Sequence, residues 1–236
     1  MAKMVGLNLV IKLGWMKKAV SLLPENLPEA EYRKELDEHL AFEIDSPTNR
    51  RKAREIMMRV WYQDYEGVEK LQQRGRELIQ KYPDQLSAIG WCMIPLAYPM
   101  FYDQGRLMGK LFEFQESVPT ATIKTKMADE YGERGVVGFS TEKTISTMRQ
   151  LECVKSEKTG QQMSGNISIE NAEIIEFMLQ SVMKMDGSSY YPFSSLTVFP
   201  FLFPLKYKVT KEQLMENKSF SLGTFDSTLC VSLRDA

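Results

Sequence analysis

The sequence predicts a mainly α-helical protein with a small α+β C-terminal part. Three observations lead to this prediction. Apolar residues recur at helical spacing along most of the chain up to Met183. Between Gly105 and Gly160 the order of three helices and a polar ribbon is typical of a winged helix-turn-helix. After Gly187, β-branched and aromatic residues alternate with turn signals, which favours short strands.

The composition is that of an ordinary globular protein, since 43% of the 236 residues are apolar and 26% are charged. A formal net charge of -1 excludes a strongly basic protein that coats nucleic acid, so any basic surface must be local. Cys92, Cys153 and Cys230 are far apart and odd in number, and we expect buried free thiols in a reducing compartment.

The two densest apolar stretches, residues 91–101 and 195–205, are about half the length that crosses a bilayer, and each contains two prolines. The chain start has too short an apolar run for a secretory signal. We therefore expect a cytoplasmic protein with no membrane partner.

The first two predicted helices cover residues 7–23 and 29–44. Pro24 closes the first helix, and Tyr32 begins an apolar stripe that recurs every fourth residue through the second. Acidic residues greatly outnumber basic ones from residue 21 to residue 45. This acidic helix presents either a solvated face or a binding surface.

A basic helix follows, with Ser46 or Thr48 as its cap and Pro47 near its first turn. Cations at the start of a helix oppose the helix dipole, which suggests a partner for them. The acidic helix, a phosphate backbone and plain solvation all remain open. The cations are Arg50, Arg51, Lys52, Arg54 and Arg59.

A further helix is predicted over residues 68–79, followed by an apolar segment, SAIGWCMIPLAYPMF (87–101), that Pro95 and Pro99 interrupt. We expect this segment to run through the core and to dock the winged unit against the N-terminal helices. The predicted divisions are an N-terminal helical domain (1–90), the winged helix-turn-helix (91–165) and a C-terminal α+β cap (166–236).

The winged unit should begin with a helix over residues 105–114. A second helix opens at Thr120 and stops at Tyr131 before Gly132, and a third opens at Ser140 and runs to residue 151. A strand from residue 154 and a polar turn over 155–160 would form the wing. The residues of the third helix expected to face outward are Thr141, Lys143, Thr144, Thr147 and Gln150.

Basic and acidic residues are nearly balanced between 105 and 160, which is a weak footprint for nucleic acid. Short helices with a hairpin also occur in protein-binding modules, so DNA and protein remain alternative partners. The candidate DNA-contacting residues are Thr141, Lys143, Thr144, Thr147, Arg149, Lys155, Lys158, Arg50, Arg51 and Arg54.

The C-terminal part should start with a helix capped by Asn166 or Ser168 and ending near Met183. One helical turn is predicted over residues 211–216. A hairpin is predicted from segments 219–222 and 228–233, with Gly223, Phe225 and Asp226 in its turn.

Catalytic and metal-binding patterns are missing from the sequence. His39 is its one histidine, and the cysteines have no CxxC spacing. Neither a GxxxxGK[ST] phosphate loop nor a GxGxxG motif occurs. We therefore expect no enzyme, no metal site and no cofactor.

Three segments resemble BrxA-like accessory proteins of bacterial BREX phage-defence systems: SPTNRRKARE (46–55), YGER (131–134) and STEKTISTMRQL (140–151). The resemblance covers residues 46–160 by element order. The ending FDSTLCVSL (225–233) is similar to the tails of proteins in defence gene clusters.

The resemblance implies a NusB-like N-terminal helical unit joined to helix-turn-helix parts. It also implies that the protein is a non-catalytic accessory subunit that binds double-stranded DNA and works with other defence-system proteins. A protein-only adaptor is the alternative. A winged-helix transcriptional regulator is a third possibility, and it would need a symmetric dimer and a palindromic site.

Overall fold

The computed structural model of the chain describes residues 5–156 and 158–234, and this part is mainly helical. A π-helical turn, Met58–Tyr62, continues the third helix. The α-helices are α1 (Leu13–Ser21), α2 (Glu29–Ala41), α3 (Pro47–Met57), α4 (Glu69–Lys81), α5 (Leu86–Ala97), α6 (Pro99–Phe112), α7 (Thr120–Tyr131), α8 (Gly135–Gln150), α9 (Ala172–Asp186) and α10 (Lys211–Glu216).

Eight short strands form three small sheets within the described residues. The first sheet is antiparallel with the order β1-β3-β2, the second pairs β4 with β6 in parallel, and the third has the order β5-β8-β7. The strands are β1 (Ser117–Pro119), β2 (Val154–Lys155), β3 (Gln161–Ser164), β4 (Ile167–Ser168), β5 (Tyr191–Pro192), β6 (Leu205–Lys206), β7 (Phe220–Phe225) and β8 (Thr228–Leu233).

Several predicted helix ends are confirmed. The Ser46 hydroxyl accepts the Asn49 N–H at 3.4 Å, and Pro47 fills the first position of α3. Helix α7 ends at Tyr131 because Gly132 takes φ 88°, a conformation that favours glycine. The short helix over residues 211–216 also appears where it was predicted.

The apolar segment at the centre of the chain forms helix rather than a broken thread. Helix α5 continues through Pro95, and Pro99 opens α6 instead of interrupting it. Trp91 is fully buried there, its indole N–H donates to the Phe201 carbonyl at 3.1 Å, and its ring packs against that phenyl ring at 5.1 Å. The predicted domain boundary between residues 90 and 91 therefore falls inside a core helix.

Helix α9 packs against α4 and α5, so the C-terminal part shares the core of the N-terminal helices. The predicted caps Asn166 and Ser168 are wrong, because the Asn171 side chain accepts the Ile174 N–H and α9 starts after it. Glu173 then joins α9 to α4. Its carboxylate accepts hydrogen bonds from the side chains of Lys81 at 2.6 Å, Tyr82 at 2.7 Å and Arg74 at 2.7 Å.

The predicted C-terminal hairpin is confirmed as β7 and β8, but its turn differs. Asp226 and Ser227 have φ angles of 46° and 61° and make the turn, since two residues with positive φ suit a tight hairpin. Gly223 lies inside β7 opposite Cys230. All three cysteines are buried and unpaired, and no helix in the described ranges is long and apolar enough to cross a bilayer.

Candidate nucleic-acid interface

The elements from α6 to β3 follow each other as helix, strand, helix, helix, strand, strand, and the sheet has the order β1-β3-β2. The turn between β2 and β3 is tied to the start of α7. The Thr120 N–H and hydroxyl both donate to the Gly160 carbonyl, at 2.8 and 3.1 Å. At the other end of α7, the Tyr131 hydroxyl donates to Asp103 of α6 at 2.5 Å. These bonds fix the helices relative to the sheet.

Helix α8 starts at Gly135 and not at the predicted Ser140. Arg134 is extended at the helix start, and its carbonyl accepts the Val137 N–H at 2.8 Å. Ser140 is 1% exposed and sits inside the helix, where its hydroxyl has no hydrogen-bond partner among the described residues. The earlier start changes which residues face solvent.

Thr141, Thr144 and Thr147 are each 0% exposed, so the prediction that they face a groove is wrong. The Thr141 hydroxyl donates to the Val137 carbonyl of its own helix at 2.8 Å. The Thr147 hydroxyl oxygen accepts the Ile11 N–H at 3.0 Å. Side chains held in this way cannot reach a base edge.

The cover over these threonines is residues 5–12, which we name the N-terminal strap. Leu7 and Ile11 of the strap are buried, and Gly6 lies close to Ser140. The Leu13 N–H, just after the strap, donates to the Gln150 side chain at 3.3 Å. Helix α8 is therefore packed on two sides, against α6 and α7 and against the strap.

One face of α8 remains uncovered, and we name it the α8 strip: Phe139, Lys143, Ser146 and Arg149. The first and last of these are exposed and the middle two are half-buried. The Lys143 ammonium lies 4.8 Å from the centre of the Phe139 ring, and the Arg149 guanidinium donates to the Ser146 hydroxyl at 3.1 Å. These contacts hold both cations along the strip.

The neighbouring acid on α8 is neutralised locally. Lys124 of α7 contacts Glu142 at 2.7 Å, and this hydrogen bond lowers the pKa of the Glu142 carboxyl. Lys143 and Arg149 make no ion pair with a described residue. The strip therefore keeps its positive charge.

The predicted wing adds Lys155 and Lys158, which are exposed and have no ion-pair partner within the described ranges. Lys126 of α7 is exposed as well. Lys126, Ser146 and Phe139 are not among the residues that the sequence predicts to contact DNA. A helix started at Gly135 would have revealed the last two, because residues 139, 143 and 146 then recur at the spacing of one helix face.

The cations of the basic helix α3 differ in their contacts. The Arg54 guanidinium donates to Asp37 of α2 and to Glu55. Arg54 therefore pairs with the acidic helix, which is one of the three alternatives predicted for these cations. Arg33 of α2 reaches the same Glu55 at 2.6 Å. Burial raises the pKa of Glu55, but the hydrogen bonds from the two guanidiniums outweigh it and the pKa is lowered.

Arg50 is half-buried, Arg51 is exposed, and neither makes an ion pair with a described residue.

Across residues 5–156 and 158–234, no three His, Cys, Asp or Glu side chains are grouped to hold a metal ion. Comparisons with protein-family models, with curated proteins and with solved structures find no match to the chain.

Proposed function

We propose that residues 99–164 form a winged helix-turn-helix that binds double-stranded DNA through the α8 strip and the wing. One observation carries this proposal: the order α6-β1-α7-α8-β2-β3, with the sheet order β1-β3-β2, leaves a cationic face of α8 open beside a cationic turn. Helix-turn-helix modules read the major groove with the exposed face of their last helix.

The chemistry of the strip suits this role. Lys143 lies at the middle of α8, within the exposed strip, and lysine donates well to guanine. The Ser146 hydroxyl can donate and accept hydrogen bonds. Arg149, Lys155 and Lys158 are placed to contact phosphates, which position the protein without selecting sequence.

The overall charge of -1 is compatible with local binding because Glu142, the acid next to Lys143 on α8, is already paired with Lys124. Three of the uncompensated cations, Arg149, Lys155 and Lys158, supply about three phosphate contacts. Counterion release then gives a slope of log affinity against log salt of about -2.7, or roughly a fortyfold loss of affinity between 50 and 200 mM salt.

Fluorescence anisotropy of a labelled duplex tests this proposal. We expect binding at about 50 mM salt and a steep loss at about 200 mM. Lys143→Gln with Arg149→Gln should weaken binding at least about tenfold. Lys211→Gln with Lys218→Gln removes the same charge from an exposed region elsewhere and should change affinity little. No binding at the lower salt would overturn the proposal.

A protein-only adaptor is the second candidate, and one observation favours it. Val136 and Phe139, at the start of α8, are 50% and 48% exposed, and such apolar side chains suit a protein interface. The same titration separates the candidates, because an adaptor would not bind the duplex at low salt.

The phage-defence role rests on the resemblance of residues 46–160 to BrxA-like proteins. If the protein acts there as a non-catalytic accessory subunit, Lys143→Gln with Arg149→Gln should lower phage resistance in a host carrying the complete locus. Plating efficiency of a restricted phage measures this effect. Full phage resistance with a variant that no longer binds DNA would show that DNA binding is not needed for this role.

A further inference from the structure

A second cationic site lies away from the α8 strip, in a cavity of about 400 Å³ between the N-terminal strap, α3 and the start of α6. Arg51, Lys52 and Arg59 line it, together with Tyr98 and Asn8. None of the three cations makes an ion pair with a described residue, whereas Arg54 on the same helix is paired. The three positive charges therefore converge on a recess without a carboxylate partner of their own.

Glu55 is the acid among the lining residues, and its carboxylate already has ion-pair partners. One carboxylate oxygen accepts hydrogen bonds from Arg33 at 2.6 Å and from Arg54 at 3.0 Å. Glu55 is thus held in an ion-pair network outside the recess, and the three lining cations outnumber this one lining acid. The recess as a whole therefore favours an anion.

Tyr98 gives the site a buried polar group. The residue is 7% exposed, and a side-chain hydrogen bond joins its hydroxyl to Arg59. The Arg59 guanidinium carbon lies 6.0 Å from the centre of its ring, so the cation is held against the cavity wall. The guanidinium can only donate, so the hydroxyl hydrogen is left to donate to a ligand oxygen in the cavity.

The backbone at Arg59 is also irregular. Residues Met58–Tyr62 form a π-helical turn, in which the Gln63 N–H donates to the Met58 carbonyl at 2.8 Å. Single π-turns inside helices are uncommon and frequently occur at functional sites. This turn directly follows helix α3, whose residues Arg51 and Glu55 line the recess. The turn places Arg59 in the same lining.

We propose that this recess binds the phosphate group of a small phosphate ester. Arginine and lysine are the usual phosphate ligands, and a tyrosine hydroxyl can donate to a phosphate oxygen. A cavity of about 400 Å³ falls within the size range of small-molecule sites. A recessed site of this size accepts a compact phosphate more readily than the rigid backbone of a duplex.

Calorimetric titration with pyrophosphate and with ADP tests the site, and thermal unfolding at increasing ligand concentration supports it independently. Both ligands should bind the wild type and raise its unfolding temperature. Arg51→Gln with Arg59→Gln should reduce affinity at least about tenfold, and Tyr98→Phe about fivefold. Arg50→Gln with Lys17→Gln, which removes equal charge outside the cavity, should bind both ligands as the wild type does.

The proposal is overturned if neither ligand binds at about 10 mM, or if the Arg51 and Arg59 variant binds as well as the wild type. Duplex DNA serves as the third probe. If the Arg51 and Arg59 variant loses DNA affinity while small phosphates never bind, these cations belong to a DNA surface and the recess is not a separate site. The Lys143 and Arg149 variant should lose affinity for DNA and keep its affinity for pyrophosphate. The failure of one proposal can therefore be distinguished from the failure of the other.

Discussion

Replacing Thr147 by valine should destabilise the protein, while the same replacement at Thr144 should stabilise it. Both threonines are fully buried on α8. The Thr147 hydroxyl oxygen accepts the Ile11 N–H at 3.0 Å, so valine leaves a backbone donor without a partner. The Thr144 hydroxyl has no partner among the described residues, so valine removes a buried polar group at nearly constant volume.

The expected magnitudes follow from these contacts. Leaving the Ile11 N–H unsatisfied costs about 1–3 kcal/mol, and removing the unpaired Thr144 hydroxyl gains about 1 kcal/mol. The helix propensities of threonine and valine are similar and cancel. For a chain of this length, each kcal/mol shifts the unfolding temperature by about 2–4 °C, so the variants should move in opposite directions.

Urea unfolding followed by circular dichroism measures both free energies, and DNA affinity is measured on the same samples. The buried position predicts that neither substitution alters DNA binding by the folded protein. Equal effects of the two substitutions on stability would refute the strap contact. A large loss of DNA affinity in both stable variants would refute the burial of these threonines.

Further predictions concern close packing and pH. Gly109→Ala should destabilise by about 3 kcal/mol, because a Cβ there would lie 1.8 Å from the Pro200 carbonyl oxygen. Gly138→Ala, with its nearest contact at 3.5 Å, should stabilise α8 by about 0.8 kcal/mol, and equal effects at the two glycines would contradict this packing. Hydrogen bonds from Lys81 first, then from Tyr82 and Arg74, lower the pKa of Glu173 to about 2. Its stabilisation is therefore complete above about pH 4.3 and is lost as pH falls through about 2. Glu173→Gln should cost most stability at pH 7, about half as much at pH 3 and little at pH 2. A pH-independent cost in urea unfolding would contradict the ion-pair network.

Local signals in the sequence predicted much of the fold. Ser46 with Pro47 marked the start of α3, and Gly132 marked the end of α7, because capping depends on a few neighbouring residues. The short helix at 211–216 and the C-terminal hairpin followed from local patterns as well.

The outward face of α8 could not be predicted, because it depends on a contact distant in sequence. The Ile11 N–H reaches the Thr147 hydroxyl across 136 positions, and no pattern within α8 signals that contact. Ser140 resembled a helix cap, yet the helix begins at Gly135 because core packing needs Val137 inside. The pairing of Arg54 with Asp37 was one of several alternatives, and only the fold distinguishes Arg54 from Arg51.

The salt dependence of duplex binding tests the central claim most directly. Log affinity measured against log salt should have a slope of about -2.7 for the wild type, and the loss of the Arg149 phosphate contact should make the slope shallower by about one unit in Lys143→Gln with Arg149→Gln. Lys211→Gln with Lys218→Gln should leave the slope unchanged. Equal changes of slope in the two variants would show that only net charge matters, and a wild type without duplex binding at about 50 mM salt would contradict the account.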